Sequence, residues 1–477
     1  MKIALVASEA APFLKTGGLG DVMQALPAAL SKMPGNEVVL MLPYYSVIKY
    51  NPEIKTEHVT SFEINLAWRK CHVGLFRLKS RKKLQVYFVD NEQYFNRSRI
   101  YGEGDDGERF AYFSKAVLAS LNAVDFRPDV LHCNDWQTAL VPMLLRSEFA
   151  GCFPQTRTVF TIHNVEYQGW ADSYFNMDVL GLPAEYTGVL DFDGAANFMK
   201  AAVVMSDMVT TVSETYAYQL QDAYYAHGMH RILQQYPEKM TGIVNGIDVE
   251  TFHPGKDRSI EATYTSATVK QGKAENKLAL QKRLGLKEDK DAAMLAIVTR
   301  LVSHKGIDLL TDIADRLLQR KVQFVLLGTG DAQYEQFFRM LETRYPGQVA
   351  SVLQFDGGLA NCIYAAADLY LMPSKSEPCG LSQMIAMRYG TVPVVHATGG
   401  LRDTVWPYNP ETEEGRGFTF QSYNSDDFLN AIDRALGLYF DAPEAFERLQ
   451  KHLMKEDFSW KESAQKYMAL YHNITGN

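Results

Sequence analysis

Short apolar segments rich in β-branched residues alternate with helical patterns along most of the chain. Because such segments are apolar at every position, they predict strands of parallel sheets that helices cover on both faces. The predicted strands are Lys2–Ala7, Val38–Leu42, Leu84–Asp90, Val130–Cys133, Arg157–Ile162 and Met208–Val212 in the first half, and Met294–Val298, Gln323–Leu327, Val352–Phe355, Leu369–Met372 and Val392–Val395 in the second. The predicted helices include Asp21–Ser31, Phe110–Leu121, Thr138–Arg146, Ile307–Arg320, Leu381–Tyr389, Pro443–Lys455 and Trp460–Tyr471. We therefore expect an α/β protein.

The alternation is interrupted once, by a polar stretch without strand patterns that follows Ile243–Asp248 and runs to about Gln271. A chain of 477 residues is long enough for two cores. We predict two doubly wound, Rossmann-like domains, residues 1–245 and 246–459, that face each other across a deep cleft, with helix 460–477 returning to the first domain. Antiparallel strands within Phe62–Asp90 form an insertion in the first domain.

Composition excludes several classes of function. The net charge of −8 argues against a nucleic-acid or anionic-membrane partner. No apolar run is long enough to span a membrane, and the apolar run at the N-terminus ends at Ser8. The five cysteines are scattered and form no CxxC pair, so we expect a cytoplasmic protein with neither a disulfide framework nor a zinc site.

A glycine-rich turn follows the first predicted strand. Lys15, Gly17, Gly18 and Gly20 precede a helix that begins near Asp21. Glycines let the backbone approach a ligand, and a helix N-terminus attracts an anion. The spacing matches neither a dinucleotide fingerprint nor a P-loop. A glycine-rich turn between a strand and a helix is a purely structural turn about as often as it is a phosphate-binding site.

Two cations follow the predicted strand Met294–Val298. Arg300 comes directly after it, and Lys305 stands just before a helix. Such a pair can clamp a diphosphate and stabilise charge on a leaving phosphate. Solvated surface cations are the alternative.

The next turn, Pro373–Leu381, also joins a buried strand to a helix. Backbone N–H groups near Gly380, Leu381 and Ser382 could meet a phosphate. Glu377 could accept hydroxyl groups of a sugar. Cys379 has no cationic neighbour in sequence and is expected to be packed rather than reactive.

Two first-domain strands end in polar residues. His163 and Asn164 follow Arg157–Ile162, and Asp135 with Trp136 follows Val130–Cys133. A histidine at a strand terminus could bind substrate or carry a proton. A carboxylate beside an aromatic ring suits carbohydrate, although a structural histidine and a capping aspartate are the alternatives.

At these residues the chain resembles the bacterial glycogen synthase and plant starch synthase family. The resemblance extends from the N-terminus to about residue 405 and includes the tail Asp457–Trp460. Its motifs are Lys15–Leu19 with Gly20-Asp21-Val22, His163-Asn164, Tyr167-Gln168-Gly169, Asn245–Asp248, Lys273–Lys277, Arg300 with Lys305, Glu377–Leu381, Tyr389-Gly390-Thr391, Thr398–Leu401 and Asp403-Thr404-Val405.

The resemblance implies a GT-B fold and transfer of glucose from ADP-glucose to the non-reducing end of an α-1,4-glucan such as glycogen, with retention of configuration and without a metal or other cofactor. It makes His163, Arg300, Lys305 and Glu377 the catalytic residues. The implied donor site also includes Lys15, Gly17, Gly18, Asn245, Cys379, Gly380, Leu381 and Ser382. The implied sugar or acceptor residues are Asp135, His163 and Asn164.

Three positions bear on this expectation. Lys375-Ser376 stand where the family often has Arg-Phe, and His396 stands where an arginine is common. These departures concern local geometry and substrate affinity more than the reaction class. Ile385 occupies the place of a second glutamate found in many retaining GT-B enzymes, in agreement with this family.

The absence of an obvious carboxylate pair in the sequence argues against double displacement. We therefore expect front-side transfer, with the departing phosphate accepting the acceptor's proton. A hinge near Asn245–Asp248 and near the C-terminal crossing would close the domains and exclude water. The alternatives are a UDP-sugar transferase with a small acceptor, a nucleotide-sugar epimerase and an inactive glucan-binding protein.

Overall fold

The two large sheets of the protein belong to separate units of the chain. A computed structural model describes residues 1–80 and 83–476. The first unit comprises Met1–Asn245 and the segment that begins at Trp460, and the second comprises Gly246–Ser459.

The first unit contains a nine-stranded sheet and a small three-stranded antiparallel sheet. Its strands are β1 Lys2–Val6, β2 Glu37–Pro43, β3 Thr56–Leu66, β4 Arg69–Leu78, β5 Gln85–Asp90, β6 Val130–Asn134, β7 Arg157–Ile162, β8 Trp170–Ala171, β9 Asp191–Phe192, β10 Ala195–Asn197, β11 Met208–Thr211 and β12 Met240–Gly242. The large sheet has the order β12-β11-β7-β6-β1-β2-β5-β4-β3, and the small one has the order β8-β10-β9. All pairings from β12 to β5 are parallel, whereas β4 and β3 are antiparallel additions at one edge.

The second unit has one six-stranded, wholly parallel sheet. Its strands are β13 Ala293–Val298, β14 Val322–Leu327, β15 Val349–Val352, β16 Leu369–Met372, β17 Val392–His396 and β18 Phe418–Phe420. The order β15-β14-β13-β16-β17-β18 reverses direction between β13 and β16. This is the strand order of a doubly wound dinucleotide-binding sheet.

Helices cover both sheets. In the first unit they are α1 Gly18–Lys32, α2 Ser46–Lys49, α3 Glu92–Phe95, α4 Asp106–Ala123, α5 Val141–Ser147, α6 Glu185–Leu190, α7 Phe198–Met205, α8 Glu214–Gln219 and α9 His230–Leu233. The later ones are α10 Val269–Arg283, α11 Ile307–Leu317, α12 Ala332–Arg344, α13 Gly357–Ala366, α14 Ser382–Arg388, α15 Gly399–Thr404, α16 Ser425–Asp441, α17 Pro443–Leu453 and α18 Trp460–Thr475. Single turns of other helix types occur at Trp136–Thr138, Asn176–Leu180, Pro237–Lys239 and Ser303–Lys305.

The apolar runs explain this architecture. Every residue of β14 and β16 is buried, as expected for strands covered on both faces. In α11, Ile307, Leu310, Ile313 and Leu317 recur every three or four residues and are all buried. Such a stripe fixes which side of the helix faces the sheet.

Helix α18 packs on the first unit, where it contacts α1. A buried hydrogen bond of 2.7 Å joins Tyr471 OH in this helix to Nδ1 of His132 in β6. The other ring nitrogen, Nε2, lies 2.6 Å from Thr161 Oγ1 in β7. A polar chain therefore ties the last helix to two central strands.

The two-sheet α/β expectation is confirmed, but three predicted elements are misplaced. The strand predicted at Val352–Phe355 is β15, Val349–Val352. Phe355 is 93% exposed, and Asp356 caps α13 by accepting the Leu359 N–H at 2.9 Å. The residues after Val352 therefore form a connection.

The other two differences arise from local turns. The helix predicted at Thr138–Arg146 divides into the turn Trp136–Thr138 and α5, which has proline in its first turn. The antiparallel insertion begins at Thr56 rather than Phe62, and its residues 81 and 82 lie outside the described part of the chain.

Candidate active site

In each large sheet the order of the parallel strands reverses at one point, and several predicted site residues follow the strands that flank it. In the second unit the reversal falls between β13 and β16, which Arg300 and Glu377 follow. In the first unit it falls between β1 and β6, which Lys15 and Asp135 follow. Ligands of open α/β sheets bind beyond the carboxyl ends of the strands at this point.

Lys305 and Glu377 form an ion pair in the second unit. Lys305 Nζ lies 2.7 Å from Glu377 Oε2, and Ser374 Oγ donates to the same oxygen at 3.0 Å. The Glu377 side chain is only 9% exposed, and that of Lys305 is 18% exposed. The structure therefore brings together two of the predicted catalytic residues.

Close backbone packing produces this pair. Gly306 has a φ of +72°, and a Cβ at this position would lie 2.0 Å from the Pro373 carbonyl oxygen. Glycine therefore lets the turn after Lys305 press against the end of β16. The Lys375 N–H donates to His304 O at 2.9 Å and joins the same two loops. No sequence motif predicts these contacts between the two loops.

The remaining donor-site candidates of the second unit surround this pair. Arg300 is exposed at the end of β13. Cys379 is buried, which agrees with a packing role, and Gly380 and Leu381 lead into α14. Ser382 opens that helix, and its Oγ donates to Met372 Sδ at 3.4 Å.

His396 supports the loop that carries Glu377. Its Nδ1 lies 2.8 Å from the Ser374 carbonyl oxygen, and its Nε2 lies 3.3 Å from that of Gln421. Burial lowers the pKa of this histidine below its ordinary value. A neutral imidazole can donate from one of these nitrogens only. At this position the departure from the family pattern thus supplies a brace for the donor loop.

In the first unit, the glycine-rich turn is organised by Glu9, a residue outside the predicted site. Glu9 is 3% exposed and accepts N–H groups of Thr16 at 2.9 Å, Gly17 at 3.3 Å and Gly20 at 3.1 Å. Lys15 Nζ lies 2.7 Å from Asp21 in an exposed ion pair. The sequence signal that could have identified Glu9 is a carboxylate three residues beyond the end of β1.

Asp135 and His163 lie together at the carboxyl ends of β6 and β7. Asp135 Oδ1 accepts the His163 N–H at 2.8 Å. Loss of solvation raises the pKa of the Asp135 carboxyl to about 7, with a smaller contribution from the charge of Glu9. Asp135 has a φ of +58°, an unusual value for a residue with a side chain.

Neighbouring hydrogen bonds determine the tautomer of His163. Asn134 Nδ2 donates to the carbonyl oxygens of Val6 and His132, at 3.2 and 3.3 Å. Asn134 Oδ1 therefore faces His163 Nε2, 2.9 Å away, and that nitrogen carries the proton. Desolvation lowers the pKa of His163 to about 3, so the ring is neutral near pH 7 with Nδ1 as an acceptor.

Two further predicted residues have local roles. Asn164 Oδ1 accepts the Glu166 N–H at 3.0 Å and shapes the turn after His163. Asn245 is buried as the last residue of its segment, and its Oδ1 has no hydrogen-bond partner in the described part of the chain. An unpartnered buried amide oxygen is costly and is compatible with a ligand-binding role.

The Lys273–Lys277 motif is part of the second unit's interior. Lys273 Nζ donates to the carbonyl oxygens of Tyr364, Ala365 and Tyr389 and to Thr391 Oγ1, at 2.7–3.2 Å. Lys277 Nζ lies 2.5 Å from Asp368 Oδ2. Both lysines therefore connect α10 to segments that precede and follow β16.

Within residues 1–80 and 83–476, no group of three or more His, Cys, Asp and Glu side chains could hold a metal ion. In the same residues, no helix combines the length and apolarity that crossing a membrane requires.

Comparisons with known proteins show which family the chain resembles along its whole length. Residues 2–235 match a family described as the starch synthase catalytic domain, and residues 281–451 match glycosyl transferases group 1. Glycogen synthases of Clostridium beijerinckii and Exiguobacterium sibiricum are both 45% identical to this chain. The matches cover 100% of both chains for the first and 99% of both for the second.

Solved structures give the same assignment. The catalytic domain of starch synthase IV from Arabidopsis thaliana, bound to ADP and acarbose, matches with a TM-score of 0.90 and 35% identity over 100% of this chain and 99% of that one. Sucrose-phosphate synthase from Thermosynechococcus elongatus shares the fold, with a TM-score of 0.61 and 19% identity over the same shares. The resemblance in the motifs and the GT-B fold that it implies are confirmed. The chain therefore belongs to the glycogen and starch synthase family of glucosyltransferases.

Proposed function

We propose that this enzyme transfers glucose from ADP-glucose to the non-reducing end of an α-1,4-glucan and retains the anomeric configuration. The observation that carries the proposal is the Lys305–Glu377 pair at the strand-order reversal of the second sheet, beside exposed Arg300. The relative bound to ADP and the glucan analogue acarbose supports this choice of substrates.

The second unit binds the donor in this proposal. Arg300 and Lys305 contact the diphosphate, since two cations can neutralise both phosphates. When Lys305 turns to the phosphate, Glu377 Oε2 loses a donor and gains the capacity to accept a glucose hydroxyl. The same buried carboxylate would thus hold the lysine before binding and the sugar after it. Backbone groups near Gly380, Leu381 and Ser382 complete the donor site.

The reaction is a front-side transfer. The bond between glucose C1 and the β-phosphate oxygen breaks, and a bond from C1 to the 4-hydroxyl oxygen of the glucan forms on the same face. The hydroxyl proton passes to the departing phosphate oxygen, so the products are ADP and a glucan one unit longer. Arg300 and Lys305 accelerate this step by stabilising charge on the departing ADP.

The first unit contributes sugar and acceptor contacts. The neutral His163 ring offers Nδ1 as an acceptor to a sugar hydroxyl. Asp135 and Asn164 lie beside it and can bind further hydroxyls. Lys15 and Gly18 supply positive charge and an N–H group for the donor's phosphates.

All five cysteines are in the thiol form, which supports a reducing, cytoplasmic setting for the enzyme.

Proton NMR of the first turnovers tests the stereochemistry. With ADP-glucose and a maltooligosaccharide, the new anomeric signal is expected to be that of an α-linkage. A β-linked product would contradict front-side transfer. Conversion of ADP-glucose into another nucleotide sugar without an acceptor would indicate an epimerase, and glucan binding without turnover would indicate an inactive binding protein.

A further inference from the structure

The carboxylate of Glu9 accepts several hydrogen bonds from the glycine-rich turn. Besides the three N–H groups described above, its Oε2 accepts Thr16 Oγ1 at 2.5 Å. Oε1 therefore serves Gly17 and Gly20, and Oε2 serves both donors of Thr16. Four donors converge on one buried carboxylate. Three belong to Thr16 and Gly17 in the loop between β1 and α1, and the fourth to Gly20 in the first turn of α1, which begins at Gly18 rather than near Asp21.

These bonds decide which backbone groups of the loop can meet a ligand. The N–H groups at the start of a helix attract anions, but here Glu9 already occupies those of Gly17 and Gly20. Among the described residues, the N–H groups of Gly18 and Leu19 have no acceptor. Gly18 is exposed, and no atom lies within 4 Å of the position that a Cβ would take there.

The side chain of Lys15 depends on the same arrangement. A Cβ at Gly20 would lie 3.0 Å from Lys15 Cγ, so the lysine stem packs directly on the glycine that Glu9 holds. Movement of the Gly20 backbone would therefore move Lys15 as well. Glu9 thus controls both the free N–H groups and the cation of the loop.

We propose that Glu9 is a positioning residue for the donor: its carboxylate holds the Lys15–Gly20 loop so that only Gly18, Leu19 and Lys15 face the diphosphate. This inference rests on the proposed function. Glu9 acts through the loop and does not touch the donor, since a second anion beside the diphosphate would repel it.

The number of hydrogen bonds that the side chain at position 9 can accept should affect the loop more than the length of that side chain. In E9Q the amide nitrogen replaces one oxygen and faces two donors, so either pair of loop bonds is lost. E9D keeps the charge but shortens the side chain by one methylene group. Both variants should release the loop, E9Q more strongly.

Asp207 provides a matched control in the same unit. It accepts the Thr158 N–H at 2.7 Å and Thr158 Oγ1 at 2.9 Å, and it pairs with Arg146 and Arg157. This carboxylate precedes β11, so it lies at the opposite end of the strands from Glu9. D207N should lower the melting temperature and leave donor binding unchanged.

The experiment measures the dissociation constant of ADP by calorimetry and the KM values for ADP-glucose and glycogen, in the wild type, E9Q, E9D and D207N. We expect E9Q to raise the ADP constant and the ADP-glucose KM at least about tenfold, with the glycogen KM within about twofold. If E9Q does not fold, E9D is measured instead. We then expect the dissociation constant of ADP and the KM for ADP-glucose to rise at least about threefold in E9D, again with the KM for glycogen nearly unchanged.

Two results would overturn the role of Glu9. One is an unchanged ADP constant in the folded Glu9 variant, and the other is an equal increase in D207N, which would indicate general destabilisation. A wild-type protein that binds no ADP would instead overturn the proposed function. The two failures are therefore distinguishable from the wild-type measurement alone.

Discussion

Lys305 Nζ and Glu377 Oε2 lie 2.7 Å apart, so two residues expected to contact different parts of the donor contact each other. In the mechanism we propose, a diphosphate draws the lysine away and breaks the pair, and a sugar hydroxyl then takes the lysine's place on Glu377. Donor binding and rearrangement of the site are coupled in this account.

Removing either cation should slow the chemical step. We expect Arg300→Ala and Lys305→Ala each to lower kcat with ADP-glucose by more than about tenfold, or 1.4 kcal/mol, because both stabilise the departing phosphate. Arg316→Ala is the control, since Arg316 is a half-exposed cation of the same unit that pairs with Asp426. Initial-rate kinetics measure the effect. A decrease of less than tenfold in both variants would exclude the clamp.

A methyl group at Gly306 should disrupt the donor site. Gly306→Ala combines an unfavourable φ of +72° with a Cβ 2.0 Å from Pro373 O. The backbone conformation alone costs about 1 kcal/mol, and the clash must displace Lys305 from Glu377. Gly285→Ala separates the two effects, because Gly285 has a φ of +68° and open space at its Cβ. We expect both variants to lose stability and only Gly306→Ala to lose most of its activity. Equal activity in the two would contradict this view of the loop contact.

The raised pKa of Asp135 predicts a pH-dependent stability. The folded protein holds this proton up to about pH 7, whereas an unfolded chain releases it near pH 4. Between these values the native state binds more protons, so the free energy of unfolding decreases as pH rises. Asp135→Asn removes that penalty and should be more stable than the wild type at about pH 8, by up to about 4 kcal/mol.

Thermal denaturation of the wild type and Asp135→Asn across this pH range provides the measurement. The difference in melting temperature should shrink as pH falls toward about pH 4 and be smallest below it, where the wild-type carboxyl is protonated in both states. Asp312→Asn, at an exposed carboxylate of the second unit, should show no such trend. A difference between the wild type and Asp135→Asn that stays constant with pH would contradict the shift.

The buried bond between Tyr471 and His132 should stabilise the docking of α18. Tyr471→Phe leaves a ring nitrogen of His132 without its partner, at a cost of about 1–3 kcal/mol. Tyr218→Phe is the control, because Tyr218 is 81% exposed. Urea denaturation followed by circular dichroism measures both variants. Equal stabilities would mean that apolar packing alone holds the helix.

Sequence patterns predicted the structure best where every residue of a segment is apolar, because such a segment forms a strand that is buried on both faces. The apolar runs of β13 and β16 located the strands, and the residues that follow them lie at the strand-order reversal. The prediction was wrong at Phe355, because an apolar residue can be exposed in a connection. Sequence spacing also carried no signal for the short antiparallel strands β8–β10.

The contacts between the loops could not be read from the sequence. Glu9 follows a strand like several other carboxylates, and its function becomes visible only when Thr16, Gly17 and Gly20 fold back onto it. The Lys305–Glu377 pair likewise joins residues from different loops. Lys273 and Lys277 were motif residues whose positions in the interior depend on the packing of α10 against α13.

Transfer of radiolabelled glucose to glycogen tests the central claim most directly. We predict that label from ADP-glucose enters precipitable glycogen at least about ten times faster than label from UDP-glucose, a difference of 1.4 kcal/mol. Glu377→Gln should abolish most of the incorporation, since it removes the charge that pairs with Lys305. Preferential incorporation from UDP-glucose, or donor breakdown without labelled glycogen, would contradict the account.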